Sequence, residues 1–257
     1  MSGFIYCGQG ELFGQRRAVG FGDEKFSVRE VSRGAANAMI VKNHYSKKFY
    51  NATYIHLGVF MLGEMVGVLQ FGYAMNPASQ SSIVAGTAMN EYLELNRMWL
   101  DDIAPRNSES RALSYALKII RAAHPKIKWI QSFADERCRL GGVVYQACNF
   151  RYYGEHTSTF WELGGEVFHD SIMTDSKKAE TPKGRFLRAN RSEAVPISLR
   201  QFRYLYFMKP RFAKRCQLRE HPFPKLFAAR PEDERDSTPC EAGATPAGRS
   251  KIGVRDE

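Results

Sequence analysis

The stretch that most restricts the fold runs over residues 92–125. Its first part, "YLELNRMWL", alternates apolar and polar positions with the period of a strand. Its second part, "PRNSESRALSYALKIIRAAHP", opens as a loop and then sets Leu113, Ala116, Leu117, Ile119 and Ile120 on one helical stripe, ended by His124 and Pro125. A strand delivering the chain through a loop to a helix start leaves first-turn N–H groups exposed at the positive end of the helix dipole. Such a junction suits an anionic group.

The flanking sequence extends this unit. A helix is expected over residues 32–42, and the runs "YIHLGVFML" and "MVGVLQFGY" form a hairpin about Gly63 and Glu64. A Gly/Ser/Asn-rich loop spans 76–90, and "IKWIQSFAD" is a further strand that stops at Asp135. "ERCRLGGVVYQACNF" has helical spacing despite Gly141 and Gly142, and "RYYGEHTSTFWELGG" with "EVFHDSI" makes a hairpin about Gly164 and Gly165. The predicted order is helix, hairpin, strand, helix, strand, helix, hairpin, which is an α/β (α+β) chain with a mixed central sheet flanked by helices. We divide it into an N-terminal arm over 1–19, a catalytic domain over 20–176, a basic aromatic extension over 177–228 and a disordered tail over 229–257.

Charge is concentrated in that extension. Residues 177–225 carry 14 Lys and Arg against three acids, whereas the whole 257-residue chain has a net charge of +10. Arg185, Arg188, Arg200, Arg203, Lys214 and Arg215 alternate with Phe, Tyr and Leu, a pattern that neutralises phosphates while rings stack on bases. A solvated basic face is the bland alternative. No segment approaches the roughly 18 consecutive apolar residues of a membrane span, the first residues, "MSGFIYCGQGELFGQRR", hold no apolar run of secretory length, and the five cysteines are too scattered for a disulfide framework. We expect a protein of the cytoplasm with no membrane partner.

Several residues could carry chemistry. "KNHYSKKFYNATY" compresses His44, Tyr45, Lys47 and Lys48 into one loop, offering a proton acceptor near neutral pH, a phenol donor and phosphate partners, or only a basic helix end. Asp135 closes a strand, where it faces a cleft or caps the following turn. Arg97 lies inside a strand and either serves the site or pairs with Glu94. Tyr145 reads by default as a core aromatic, and Ser110 as a first-turn cap. The six histidines show no metal-ligand spacing, so the metal assignment stays unknown, with His44 and Asp135 as one pair able to bind iron.

The element series resembles the GNAT N-acyltransferase core, and the motifs "NHYSKKFYNATYIHLGVF", "GVLQFGYAMNP", "YLELNRMWLDDIAPRNSESRALSYALKIIR", "WIQSFADERCRLGGVVYQACNF" and "GEHTSTFWEL" resemble the phage Mom family of DNA-modifying proteins. The resemblance covers about residues 42–174. It implies conversion of adenine in DNA to N6-carbamoylmethyl-adenine, protecting phage DNA from host restriction, with double-stranded DNA as substrate in the host cytoplasm. It also implicates His44, Tyr45, Arg97, Ser110, Asp135 and Tyr145 in catalysis. The GNAT pyrophosphate turn reads Arg/Gln-x-x-Gly-x-Gly/Ala, but here Arg106 is followed by Asn107, Ser108, Glu109 and Ser110. Both small positions are lost and an acid is gained, so Arg106, Asn107 and Ser108 are read as a donor site for an acyl carrier other than coenzyme A.

The product implied has N6 bonded to a CH2 group, which simple acetyl transfer cannot give. Glycyl-tRNA is therefore the favoured donor, with tRNA as a second nucleic-acid partner; acetyl-coenzyme A with iron is the rival. A catalytically inactive DNA-binding protein is a third reading, and a homodimer is compatible with all three.

Overall fold

The computed structural model describes residues 1–7, 17–138, 141–174 and 176–224. The expected tail over 229–257 lies outside the described residues. Ten strands form one sheet: β1 (Gly3–Tyr6), β2 (Ala18–Gly22), β3 (Phe26–Glu30), β4 (Thr53–Met61), β5 (Glu64–Gly72), β6 (Tyr92–Leu100), β7 (Trp129–Asp135), β8 (Arg151–Leu163), β9 (Glu166–His169) and β10 (Val195–Phe207). Their spatial order is β1-β2-β3-β4-β5-β6-β7-β10-β8-β9. The helices are α1 (Arg33–Asn43), α2 (Ser108–Ala123), α3 (Val143–Ala147), and the short α4 (Ser171–Thr174), α5 (Ser176–Ala179) and α6 (Pro182–Ala189). The sheet with flanking helices is the mixed α/β class read from the sequence. No helix among the described residues is long and apolar enough to cross a membrane.

α2 forms where its stripe required. It buries Ala112, Leu113, Ala116, Ile119 and Ile120 against β2 to β6, and each buried Leu or Ile stabilises the fold by roughly 1.5–3 kcal/mol. Ser32 caps α1 by accepting from Ala35 N–H at 3.2 Å, and α1 packs Ala36 and Ile40 onto Val68. The sheet thus has α2 on one face and α1 on the other.

Three expectations about elements are corrected. The arm expected over residues 1–19 holds β1 and the start of β2, which with β3 extend the sheet as a short meander. The helix expected across residues 136–150 is a short turn at Glu136–Cys138 and then the five residues of α3, because Gly141 (φ 49°) and Gly142 (φ 84°) hold left-handed backbone. The expected break near residue 177 is not a boundary of the fold. β10 lies inside the sheet between β7 and β8, pairing Gln201 with Asp135 and with His156, so the basic segment supplies an interior strand.

Candidate active site

The site is built where two strands part. β6 and β7 are the parallel neighbours of the sheet, and they pair only from Tyr92↔Trp129 to Leu95↔Ser132. A β-bulge at Asn96, seen as Gln70↔Arg97 next to Phe71↔Leu95, then breaks the ladder. Leu95 still packs in the core beneath α2, whereas Arg97 pairs opposite Gln70, whose amide meets Asn37 of α1. The bulge therefore turns Arg97 to the α1 side. Beyond it, residues 95–100 and 133–135 line the two walls of a cleft of about 190 Å³.

His44 enters that cleft as the C-cap of α1, its N–H donating to Ile40 O at 3.0 Å. It is 5% exposed. The backbone N–H of Ser46 donates to His44 Nδ1 at 3.1 Å, and Ser46 Oγ lies 2.9 Å from the same nitrogen. A backbone N–H only donates, so Nδ1 is the acceptor and the ring proton resides on Nε2. Burial, reinforced by the charges of Arg97 and Arg137, lowers the imidazole to about 3. His44 is thus a neutral donor at physiological pH. Tyr45 packs against it with ring centroids 4.2 Å apart. Desolvation of its phenol and the nearby Asp135 charge raise Tyr45 well above the usual tyrosine range.

Asp135 is 6% exposed and fully engaged. Arg137 Nη2 donates to Oδ2 at 2.6 Å, Arg137 Nε to Oδ1 at 2.9 Å, Arg137 N–H to Oδ1 at 2.9 Å, and Gln201 Nε2 to Oδ2 at 2.9 Å. Burial alone would raise this carboxyl, but the bonds from Arg137 and Gln201 outweigh it and hold Asp135 below its ordinary value. Asp135 is at once the cap of the next turn and a cleft residue. Its charge fixes the Arg137 guanidinium, which lies 5.0 Å from the Tyr45 ring centroid and 5.3 Å from that of Phe160.

Arg97 does not pair with Glu94. Its Nε donates to Lys48 O at 3.1 Å and its Nη1 to Asn96 O at 2.7 Å, while Tyr50 lies beneath it. Tyr145, on α3, closes the opposite wall; its hydroxyl is 3.5 Å from Phe133 O and burial pushes it up to about 12. Five of the six residues read as catalytic, His44, Tyr45, Arg97, Asp135 and Tyr145, thus line one cleft.

Ser110 is the exception. Its hydroxyl donates to Asn107 O at 3.0 Å, and it lines two adjoining cavities of about 540 and 560 Å³ with Arg106, Asn107 and Ser108. Asn107, at φ 69°, turns the chain into α2, and Ser108 N–H is spent on Pro105 O. Asp101, Asp102 and Glu109 stand in the same cavity as Arg106. Their carboxylates repel a pyrophosphate. Glu109 lines this cavity and the cleft, so the two spaces adjoin.

The basic residues divide. Lys48 bonds Glu166 at 3.2 Å beside Phe168, and Arg203 lies over Phe133, a cleft residue, with no ion pair among the described residues. Arg200 points to the other face of β10, tied to Glu136 at 2.8 Å and Glu155 at 3.7 Å. Lys47 donates to Lys42 O; Arg185 and Arg188 turn back onto Glu180, while Lys214 and Arg215 lie exposed after β10. Among the described residues no three His, Cys, Asp or Glu converge as metal ligands. The His44 and Asp135 pair does not fit iron either, since Nδ1 and both carboxylate oxygens are already hydrogen-bonded and Nε2 carries its proton. Sequence reading missed Ser46, Arg137 and Gln201, which set the states of His44 and Asp135; Arg137, two residues after Asp135, was the legible signal.

A sheet parted at its parallel pair, with a helix beginning beside the parting, defines a mixed α/β fold. The chain belongs to the Mom protein family, whose model matches residues 25–225. It is 49% identical over 210 residues to the methylcarbamoylase mom of Escherichia phage Mu, covering 80% of this chain and 87% of that protein. Among solved structures it is similar to a ribosomal-protein-S5-alanine acetyltransferase from Vibrio fischeri (11% identity, 75% of this chain, 98% of that one, TM-score 0.45). It is also similar to a ribosomal L7/L12 alpha-N-protein acetyltransferase (15% identity, 73% and 96%, TM-score 0.41).

Proposed function

We propose that this chain is a transferase that converts adenine in DNA to N6-carbamoylmethyl-adenine in the host cytoplasm, protecting phage DNA from restriction. The kinship with a methylcarbamoylase carries this reading. The cleft supports it, because neutral His44, the two protonated tyrosines and Arg97 surround one small space with hydrogen-bond donors.

The donor is a glycyl ester, glycyl-tRNA. The adenine leaves the base stack, at a cost of a few kcal/mol, and Phe49, Tyr50 or Trp99 stacks on it. N6 attacks the ester carbonyl; the N6–C bond forms, the bond from the carbonyl carbon to the ribose oxygen breaks, and the N6 proton passes to that leaving ribose oxygen. His44 Nε2–H and the Tyr45 and Tyr145 hydroxyls stabilise the oxyanion of that step. The glycyl amine then attacks C6 through a five-membered ring and the original C6–N6 bond breaks. The isomerised product carries C6–NH–CH2–CONH2, with no oxidant consumed. Asp135 acts as positioning residue for Arg137, and Arg97 orients the donor. Ser110, Arg106, Asn107 and Ser108 border the donor's path beside the cleft. Iron enters no step.

Lys47, Lys48, Arg185, Arg188, Arg203, Lys214 and Arg215 are assigned to DNA or tRNA phosphates; Arg200 joins them only by giving up its carboxylates. Growth of expressing cells on 15N-glycine tests the route. Label is expected on the nitrogen bonded to the purine; label confined to the terminal amide sinks the rearrangement.

A further inference from the structure

Beneath the cleft, on the α1 face of the sheet, three polar side chains form a cluster that the mechanism above does not use. Glu94 and Gln131 stand directly opposite each other on the parallel strands β6 and β7. Gln131 Nε2 donates to Glu94 Oε2 at 2.9 Å. Asn96 Nδ2 donates to Glu94 Oε1 at 3.0 Å and to Tyr73 O at 3.1 Å. These acceptors fix both amide orientations, since each NH2 end must face a carboxylate or a carbonyl. The amide oxygens consequently point away from the carboxylate, each within one amide width of it. Gln131 Oε1 and Asn96 Oδ1 are both buried and both lack a hydrogen-bond partner in the protein. Gln131 is 3% exposed.

Buried acceptors without partners are costly, and two of them held by one carboxylate mark a place where a ligand supplies the donors. Asn96 belongs also to the cleft wall, with Glu94 and Gln131 directly behind it. Arg97 and Arg203 act on the same Glu94 carboxylate. Burial nevertheless holds the Glu94 carboxyl above its ordinary value, against the bonds from Gln131 and Asn96 and these charges, so the place offers no strong anion to a cation and suits a neutral group. Two carbonyl acceptors beside a neutralised carboxylate match a group with two N–H donors.

Resting on the reading of this cleft as an acyl-transfer site, we propose that Asn96, Gln131 and Glu94 form a subsite that binds a neutral primary amino group. Two sources present that chemistry: the exocyclic amine of the flipped adenine and the α-amine of the glycyl donor.

Equilibrium binding separates the sources. One arm compares a single-stranded oligonucleotide carrying one adenine with the same oligonucleotide carrying purine, which lacks the 6-amino group. The other compares glycyl-tRNA with the same tRNA acylated by acetate, which lacks the α-amine. Wild-type protein is expected to prefer the amine-bearing probe about tenfold in one arm, the scale of a two-bond recognition contact. Gln131→Met, of similar length but without the amide, removes the acceptor together with the bond to Glu94, and is expected to abolish that preference in folded protein whose thermal midpoint is somewhat lowered. The arm that shows the preference names the source. Absence of a preference in both arms, or its survival in Gln131→Met, overturns the proposal. If that variant does not fold, the wild-type comparison still decides. The readout needs no turnover, so a chain that discriminates the amine but modifies no DNA would retire the functional reading and keep the subsite.

Discussion

Asp135 and Arg137, two residues apart, form a two-pronged ion pair at 2.6 and 2.9 Å, and the Arg137 guanidinium so held lies over the Tyr45 ring. The carboxylate has no free lone pair with which to take a proton. Asp135→Asn is therefore expected to cost about 2 kcal/mol at neutral pH through the lost pair. The native carboxyl sits below its ordinary value, so its contribution is present above the unfolded-state value and is lost as pH falls through the folded one. The gap between wild type and Asp135→Asn in denaturant unfolding should narrow in acid. A gap that widens as the pH falls would contradict the pairing.

His44 loses its contribution in the same direction but over a higher pH window. Its folded value of about 3 lies under the ordinary 6.5, so the unfolded chain binds the proton more readily between those values. Its contribution is complete above 6.5 and erodes as pH falls toward 3. The thermal midpoint of wild type should drop from pH 7 to pH 5 more steeply than that of His44→Gln. Nitrogen NMR should place the proton on Nε2, as the Ser46 N–H bond to Nδ1 requires; a proton on Nδ1 contradicts the donor role.

Ser110 and Tyr145 should separate kinetically. Tyr145→Phe removes a hydroxyl from the cleft and is expected to lower the rate of DNA modification by tenfold or more, the scale of a lost oxyanion donor at about 2–4 kcal/mol. Ser110→Ala removes only a bond to Asn107 O and should change stability by less than about 0.5 kcal/mol and the rate little, with any effect in donor KM. A larger rate loss for Ser110→Ala would move the reacting centre toward the start of α2.

Arg203 and Arg200, three residues apart on β10, should behave differently toward DNA. Arg203→Ala is expected to weaken binding and reduce the slope of log K against log salt by about 0.9. Arg200→Ala should leave that slope unchanged, because Glu136 and Glu155 already hold its charge on the far face. Equal slope changes would show that both faces meet phosphate.

The sequence made legible whatever rested on periodicity. α2, β6, β7 and the two hairpins followed from apolar spacing, with the first turn lying at Leu62 and Gly63, one residue earlier than read, because Leu62 adopts φ 51°. It hid what depends on long-range pairing. The alternation in β10 was masked by its arginines, so an interior strand looked like an appendage. Five of the six catalytic candidates converge, yet the protonation of His44 and the saturation of Asp135 depend on Ser46, Arg137 and Gln201, of which only Arg137, two residues after Asp135, carried a local signal. The bulge at Asn96, which turns Arg97 across the sheet, is a matter of register between β5 and β6 and is silent in sequence.

The most direct measurement is mass spectrometry of nucleosides from the DNA of cells expressing the chain, beside cells expressing His44→Gln. The expected result is N6-carbamoylmethyl-deoxyadenosine in the first and a strong loss of it in the second. Unmodified deoxyadenosine alone in DNA from cells that contain the folded wild-type protein would contradict the assignment of the cleft to adenine modification.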